Sequence, residues 1–198
     1  MKIKIGITGG IGSGKSVVSH LFEIMGIPVY DSDNESKRLT ATDPHIREKL
    51  TSLLGKKAYL GGELNKPYLA SYIFSNENHL KTINNIIHPR VKEDFHSWGD
   101  KHPSHPIVAM ESAIILEAGF KEDVNVVLMV YAPLEVRIER IMKRNNFSRK
   151  QVTERIRSQM NDEEKRLKAD YVILNDGNAL LIPQVEKFIR ELRTSYAL

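Results

Sequence analysis

The chain has 198 residues, a formal net charge of +4 and no cysteine. That length suits one α/β domain carrying an insertion or two, and the lack of cysteine excludes disulfides, a thiolate nucleophile and cysteine-ligated zinc or iron–sulfur sites. The modest positive charge suits a protein that handles polyphosphates, and would also suit a nucleic-acid binder.

Ile3, Ile5 and Ile7 alternate with Lys4 and Gly6 and predict a strand entering a buried sheet. Residues 6–16 then read GITGGIGSGKS, in which Gly9, Gly14, Lys15 and Ser16 match G-x-x-x-x-G-K-[ST], the phosphate-binding loop. Val17, Val18, Leu21, Phe22 and Met25 recur at the helical period until Gly26 and Pro28 stop the helix. A glycine-rich loop between a strand and a helix lets backbone N–H groups wrap a phosphate, because the helix N-terminus offers unpaired donors and the positive end of its dipole. Gly10, Ile11, Gly12, Ser13, Gly14, Lys15, Ser16 and Val17 are therefore the candidate nucleotide-binding residues. Lys15 is expected to reach the β- and γ-phosphates of ATP, and the Ser16 hydroxyl to ligate Mg²⁺. The alternative is a glycine-rich turn with no ligand.

Four further apolar runs predict strands: IPVYD (27–31), PIVAME (106–111), VNVVLMVY (124–131) and DYVIL (170–174). Helical patterns lie between them, which argues for a parallel sheet with right-handed crossovers. The segment between the second and third strands holds amphipathic helical patterns, among them PYLASYIF and HLKTINNIIH, broken by YLGGEL and by Pro89. It reads as a helical insertion. A second excursion, from Pro133 to roughly Lys168, is polar, arginine-rich and helix-prone. The run VNVVLMVYA is too short to span a bilayer, and the chain enters its first strand without a cleavable apolar leader. A cytoplasmic protein with no membrane partner is expected.

Ligands of parallel α/β sheets sit beyond the carboxyl ends of the strands, which brings Asp31 and Asp33, Glu111, Asn175 and Gly177 forward. Phosphoryl transfer to an alcohol needs a carboxylate that accepts the hydroxyl proton. Asp33 is the candidate base and Asp31 the acid nearer the metal. The competing role for Asp33 or Ser32 is to cap the next helix. Glu111 reads either as an acid holding Mg²⁺ through water or as an ordinary strand-end acid. Arg137, Arg140 and Arg144 share one helix face and could close over the nucleotide, where the guanidinium fork suits phosphate oxygens. Pairing with Glu135 and Glu139 on a solvated face would account for Arg137, leaving Arg140 and Arg144 as the candidate lid arginines. Cations between Arg137 and Lys168 are interleaved with glutamates and aromatics are few, unlike a nucleic-acid groove. A guanine-specific switch would need N-K-x-D, and Asn65-Lys66 continues as Pro67-Tyr68.

Composition and spacing reach as far as a phosphate-loop kinase of a small hydroxyl-bearing substrate, the shikimate, gluconate and nucleoside monophosphate types included. Along nearly its whole length the chain also resembles the dephospho-coenzyme A kinase family. The likeness is carried by GITGGIGSGKS, DSD at 31–33, IIHPRV at 86–91, ESAIILEAG at 111–119, RIMKRN at 140–145, RIRSQM at 155–160 and ADYVILNDG at 169–177. The resemblance implies a P-loop NTPase fold of three α/β/α layers around a five-stranded parallel sheet. It implies a nucleotide-binding core (1–32, 101–133 and 169–198), a helical domain holding the CoA moiety (33–100) and a helical lid (134–168). It further implies transfer of the ATP γ-phosphoryl group to the 3′-hydroxyl of dephospho-CoA. A monomer is expected, and the mixed local charge argues against a nucleic-acid partner. Asp33 would be the base, Lys15, Arg140 and Arg144 would stabilise the transferring group, Asn175 and Gly177 would line the nucleotide, and His88 and Arg90 would join Asp31 and Asp33 on the acceptor side. The chain departs from the family pattern at Ala113, Ile114 and Ile115, where Pro-Leu-Leu is usual, at Asn145 in place of Asp, and at Lys66 in place of Arg.

Overall fold

In the structure, a computed structural model that describes residues 2–197, the alternating isoleucines form β1 (Ile3–Thr8), and the loop behind it feeds α1 (Lys15–Ile24). Val18 and Phe22 of α1 are buried, whereas Val17, expected on the same face, is 54% exposed. Neighbours in sequence lie about 100° apart on a helix, so only one of the valines can face the core. The second strand, β2 (Val29–Asp31), is shorter than its apolar run, because Pro28 has no N–H to give to a ladder.

Asp31–Lys101 form a compact unit of their own. It comprises α2 (Ser32–Thr42), α3 (Pro44–Leu54), the strands β3 (Tyr59–Leu60) and β4 (Glu63–Leu64), α4 (Lys66–Ser75) and α5 (Glu77–Asp100). YLGGEL is thus a hairpin and not merely a break: Gly61 and Gly62 both have positive φ, 57° and 90°, the combination a two-residue hairpin turn demands. Pro89 does not break its helix either, since α5 runs through it. Ile83, Ile87, Val91 and Phe95, four apart, are all buried and hold the helix by packing. Pro89 and Asn85, whose carbonyl loses its helical partner to the proline, are both exposed, so water can satisfy that carbonyl.

The other unit joins the residues up to Tyr30 with those from His102 onward. Here lie β5 (Ile107–Glu111), β6 (Val126–Tyr131), α6 (Leu134–Asn145), α7 (Arg149–Arg157), α8 (Asp162–Lys168), β7 (Tyr171–Leu174) and α9 (Leu181–Ser195). Its sheet is five-stranded and parallel in the order β2-β5-β1-β6-β7, with Ile3 opposite Ile107 and Ile5 opposite Val126. Ile5, Ile7, Ala109, Leu128 and Val130 pack with Val18 and Phe22 of α1 and with Val185, Phe188 and Leu192 of α9. Val108, Met110, Val127 and Met129, the alternate residues of β5 and β6, are buried as well. Both faces are covered, as a parallel sheet requires, and the carboxyl ends of β1, β5, β6 and β7 converge on the loop before α1.

Candidate active site

The loop from Gly9 to Ser16 is shaped by glycines that no other residue could replace without movement. Gly9 and Gly14 have φ of 146° and 94°, and a Cβ at Gly14 would lie 2.2 Å from the amide nitrogen of Asn175. Gly14 is the N-cap of α1 in the left-handed region, with no side-chain cap, so no capping side chain competes with a ligand at the positive end of that helix. Lys15 is half-buried at the start of α1 and Ser16 is exposed beside it.

Ser16 Oγ donates to Glu111 Oε1 at 3.0 Å. A hydroxyl and a carboxylate at that separation, one from the loop and one from the end of β5, are the hard oxygen donors that Mg²⁺ takes. From the end of β7, Asn175 Nδ2 donates to the carbonyl of Ser13 at 2.8 Å. Arg140 closes on the same asparagine, Nη1 to its carbonyl at 3.0 Å and Nη2 to Oδ1 at 3.2 Å. Gly177, φ 97°, has Arg140 Nη2 4.0 Å from where its Cβ would be. Loop, Asn175, Gly177 and Arg140 are therefore one constellation. Arg144 stands apart from it: exposed, it donates to Asn145 Oδ1 at 3.0 Å.

Arg137 overturns its expectation. It is 2% exposed, donates through Nε to the carbonyl of Ile11 at 2.9 Å, and pairs with Asp162. Glu135, its expected partner, binds Arg149 at 2.6 Å instead. Residue spacing put Arg137 on the right face of α6, but that face is turned toward the phosphate loop and not toward water. Asp162, at the start of α8, was not suggested by the sequence at all. Burial pushes its carboxyl above the ordinary value, while Arg137, Lys165, the Gly10 N–H and Lys15 pull it back. Lys165, fully buried, donates to the carbonyl of Ala113 and pairs with Glu117, both at 2.7 Å, so α8 is fastened to the segment that follows β5. Beside these groups lies a cavity of about 680 Å³ whose lining includes Arg137, Ile156, Arg157, Gln159, Met160 and Asp162.

In the helical unit, Asp31 is the cap of α2: its Oδ1 accepts from the N–H groups of Asp33 and Asn34, both at 3.0 Å. Asp33 therefore does not cap the helix. Its carboxylate is exposed and makes no hydrogen bond among the described residues. Arg90 donates through Nε and Nη2 to Asp43 at 3.2 and 3.0 Å and pairs with Glu93. Asp43, 8% exposed, also caps α3 through Ile46 N–H. Burial opposes the charge of Asp43, yet Ile46 N–H and Arg90 outweigh it and hold the carboxyl below its ordinary value. His88, one residue before Pro89 on α5, is half-buried, and burial followed by the charge of Lys92 lowers its pKa.

The family model for dephospho-CoA kinase (CoaE) matches residues 3–180. A dephospho-CoA kinase of Bacteroides fragilis is 56% identical over 189 residues, covering 96% of this chain and 92% of the relative. One of Porphyromonas gingivalis is 44% identical over 193 residues, covering 97% and 95%. Among solved structures, TT1252 from Thermus thermophilus superposes with a TM-score of 0.80 at 34% identity, covering 98% of this chain and 97% of that one.

Proposed function

Because this chain belongs to the dephospho-CoA kinase family, we propose that it transfers the γ-phosphoryl group of ATP to the 3′-hydroxyl of dephospho-CoA, giving CoA and ADP in the last step of coenzyme A synthesis. The observation that carries this reading is the family match over residues 3–180, and the loop, Ser16–Glu111 and Asn175–Arg140 groupings supply parts that such a reaction needs. Backbone N–H groups at the start of α1 and the Lys15 ammonium hold the phosphates of ATP. Ser16 and Glu111 would hold Mg²⁺, which when bound would supply positive charge to the phosphates of ATP. The Asp33 carboxylate takes the proton of the 3′-hydroxyl as that oxygen bonds to the γ-phosphorus and the bond to the ADP oxygen breaks. Lys15 and Arg140 stabilise the charge shifting onto the leaving oxygen, and Arg144, of the lid segment 134–168, joins them there. The helical unit holds the CoA moiety, with His88 on the acceptor side and Arg90 framing that surface through Asp43.

The enzyme so described works as a cytoplasmic monomer on small molecules, without nucleic acid or membrane; no helix among the described residues is long and apolar enough to cross a membrane. Incubation with Mg-ATP and, in turn, dephospho-CoA, shikimate, gluconate, AMP and dTMP, following ADP, tests the reading. ADP release is expected to rise with dephospho-CoA alone and to match the 3′-phosphate formed. ADP release driven instead by another acceptor on the panel would overturn it.

A further inference from the structure

The pattern G-x-x-x-x-G-K-[ST] asks for glycine at 9 and 14 but leaves 10 and 12 free, and both are glycine here. The structure supplies the reason. A Cβ on Gly10 would lie 2.3 Å from Arg137 Nη2 and 2.5 Å from Asp162 Oδ1, and one on Gly12 would lie 2.8 Å from the carbonyl oxygen of Arg137. The loop is pressed from outside by α6 and by the start of α8. The same residues bond to its backbone: Arg137 Nε donates to the Ile11 carbonyl at 2.9 Å, Ile11 N–H donates to Gln159 Oε1 at 2.9 Å, and Gly10 N–H donates to Asp162, itself paired with Arg137.

Three consecutive peptide units of the phosphate loop are thus held by side chains from outside it, and the loop itself adds the bond from Ser13 N–H to the Gly10 carbonyl at 3.1 Å. Donors that bind an anion gain most when their directions are set before the anion arrives, because no reorganisation is then required. We propose that Arg137, Gln159 and Asp162 are positioning residues that fix the phosphate loop in its nucleotide-binding shape, so that the segment from α6 to α8 sets the affinity for ATP. The inference rests on the reading that this loop holds nucleotide phosphates, and it is independent of which hydroxyl accepts the phosphoryl group.

The test is titration of ADP by calorimetry, alongside initial rates with ATP and dephospho-CoA. Gln159→Leu, which keeps the bulk but not the acceptor, is expected to weaken ADP binding about tenfold, the cost of an orphaned backbone donor. The KM for ATP should rise with it while the KM for dephospho-CoA stays within about twofold. Arg137→Ala should lose more and recover part of its ADP affinity with free guanidinium, which the adjoining cavity of about 680 Å³ can admit. Gly10→Ala alone should weaken ADP binding, yet add less in the Arg137→Ala background, because the colliding guanidinium is gone and Asp162, released from its partner, is left as the one close neighbour. A merely structural role would lower Tm and leave ADP affinity of the folded fraction unchanged, and that result overturns the proposal. Gly10→Ala and Arg137→Ala effects that simply multiply would do the same. Should Arg137→Ala not fold, Gln159→Leu decides the matter alone, and a wild-type chain that binds no ADP sinks this inference together with the loop reading beneath it.

Discussion

Asp31 and Asp33 sit two residues apart, and the structure gives them separable consequences. Asp31 accepts two backbone N–H groups at 3.0 Å and the Asn34 side-chain amide at 2.7 Å, so Asp31→Ala should cost about 1 kcal/mol as a lost N-cap, or about 2–4 °C in Tm for a chain of this size. Asp31→Asn keeps an acceptor and should cost less. The Asp33 carboxylate makes no hydrogen bond among the described residues, and its contribution to the fold is the attraction of a first-turn acid to the helix dipole, about 0.5 kcal/mol. If Asp33 is the base, Asp33→Asn removes the site that takes the 3′-hydroxyl proton, and proton transfer of that kind supplies about 10² to 10⁴ in rate, equivalent to about 3–5 kcal/mol of barrier. The assay is ADP release at saturating Mg-ATP and dephospho-CoA, with Tm by calorimetry on the same preparations. Asp33→Asn should lose at least about a hundredfold in kcat with Tm nearly unchanged, and Asp31→Ala should show the larger fall in Tm. Native turnover in Asp33→Asn would refute the assignment, since the amide cannot act as a base near neutral pH.

Other substitutions probe the rest of the site. Glu111→Gln keeps an oxygen for the Ser16 hydroxyl but loses the charge, and the Mg²⁺ concentration for half-maximal rate should rise about tenfold or more; an unchanged metal dependence would remove Glu111 from the metal site. Arg90→Ala leaves Asp43 buried without its guanidinium and should cost about 2 kcal/mol in urea unfolding, whereas a raised KM for dephospho-CoA without any loss of stability would make Arg90 a substrate contact only. His88 has a folded pKa below its ordinary 6.5, so below that value the unfolded chain binds more protons and stability falls as the pH drops toward the folded pKa. His88→Asn should flatten that slope between about pH 7 and pH 5.5 in urea midpoints, and an unaltered slope would show that another group carries it.

The sheet and the phosphate loop were legible because their signals are local. Ile3, Ile5 and Ile7 alternate, the loop pattern is contiguous, and Val18 with Phe22 marks the buried side of α1. Pro89 misled because the force that carries a helix through a proline is the packing of Ile83, Ile87, Val91 and Phe95 on the opposite side, which propensity does not register. The YLGGEL hairpin carried its own signal in two adjacent glycines. Arg137 is the instructive failure: a charged residue next to glutamates reads as solvated, and only the fold reveals that its partners are Ile11 and Asp162, far away in sequence. Gly10 and Gly12 were the available hint, since glycine at a free position of a loop pattern implies that something presses on it.

The order of strands in the sheet bears on how the chain is made. β1 lies between β5 and β6, so Ile3 waits for Ile107 and Ile5 for Val126, and β1, synthesised well ahead of both neighbours, is among the last strands to find its partners. All of Asp31–Lys101 emerges in between, and its helices contact one another within one contiguous stretch. Local contacts form quickly and distant strand pairings slowly. During synthesis the helical unit is therefore the first part to become protease-resistant, while the apolar N-terminal strand stays unpaired and is the stretch a chaperone would hold. Stalled chains long enough to bring first α5 and then β6 clear of the ribosome, probed by brief proteolysis, would show this as protection of residues 31–101 before residues 3–30; the reverse order would mean that the sheet assembles without waiting for β6.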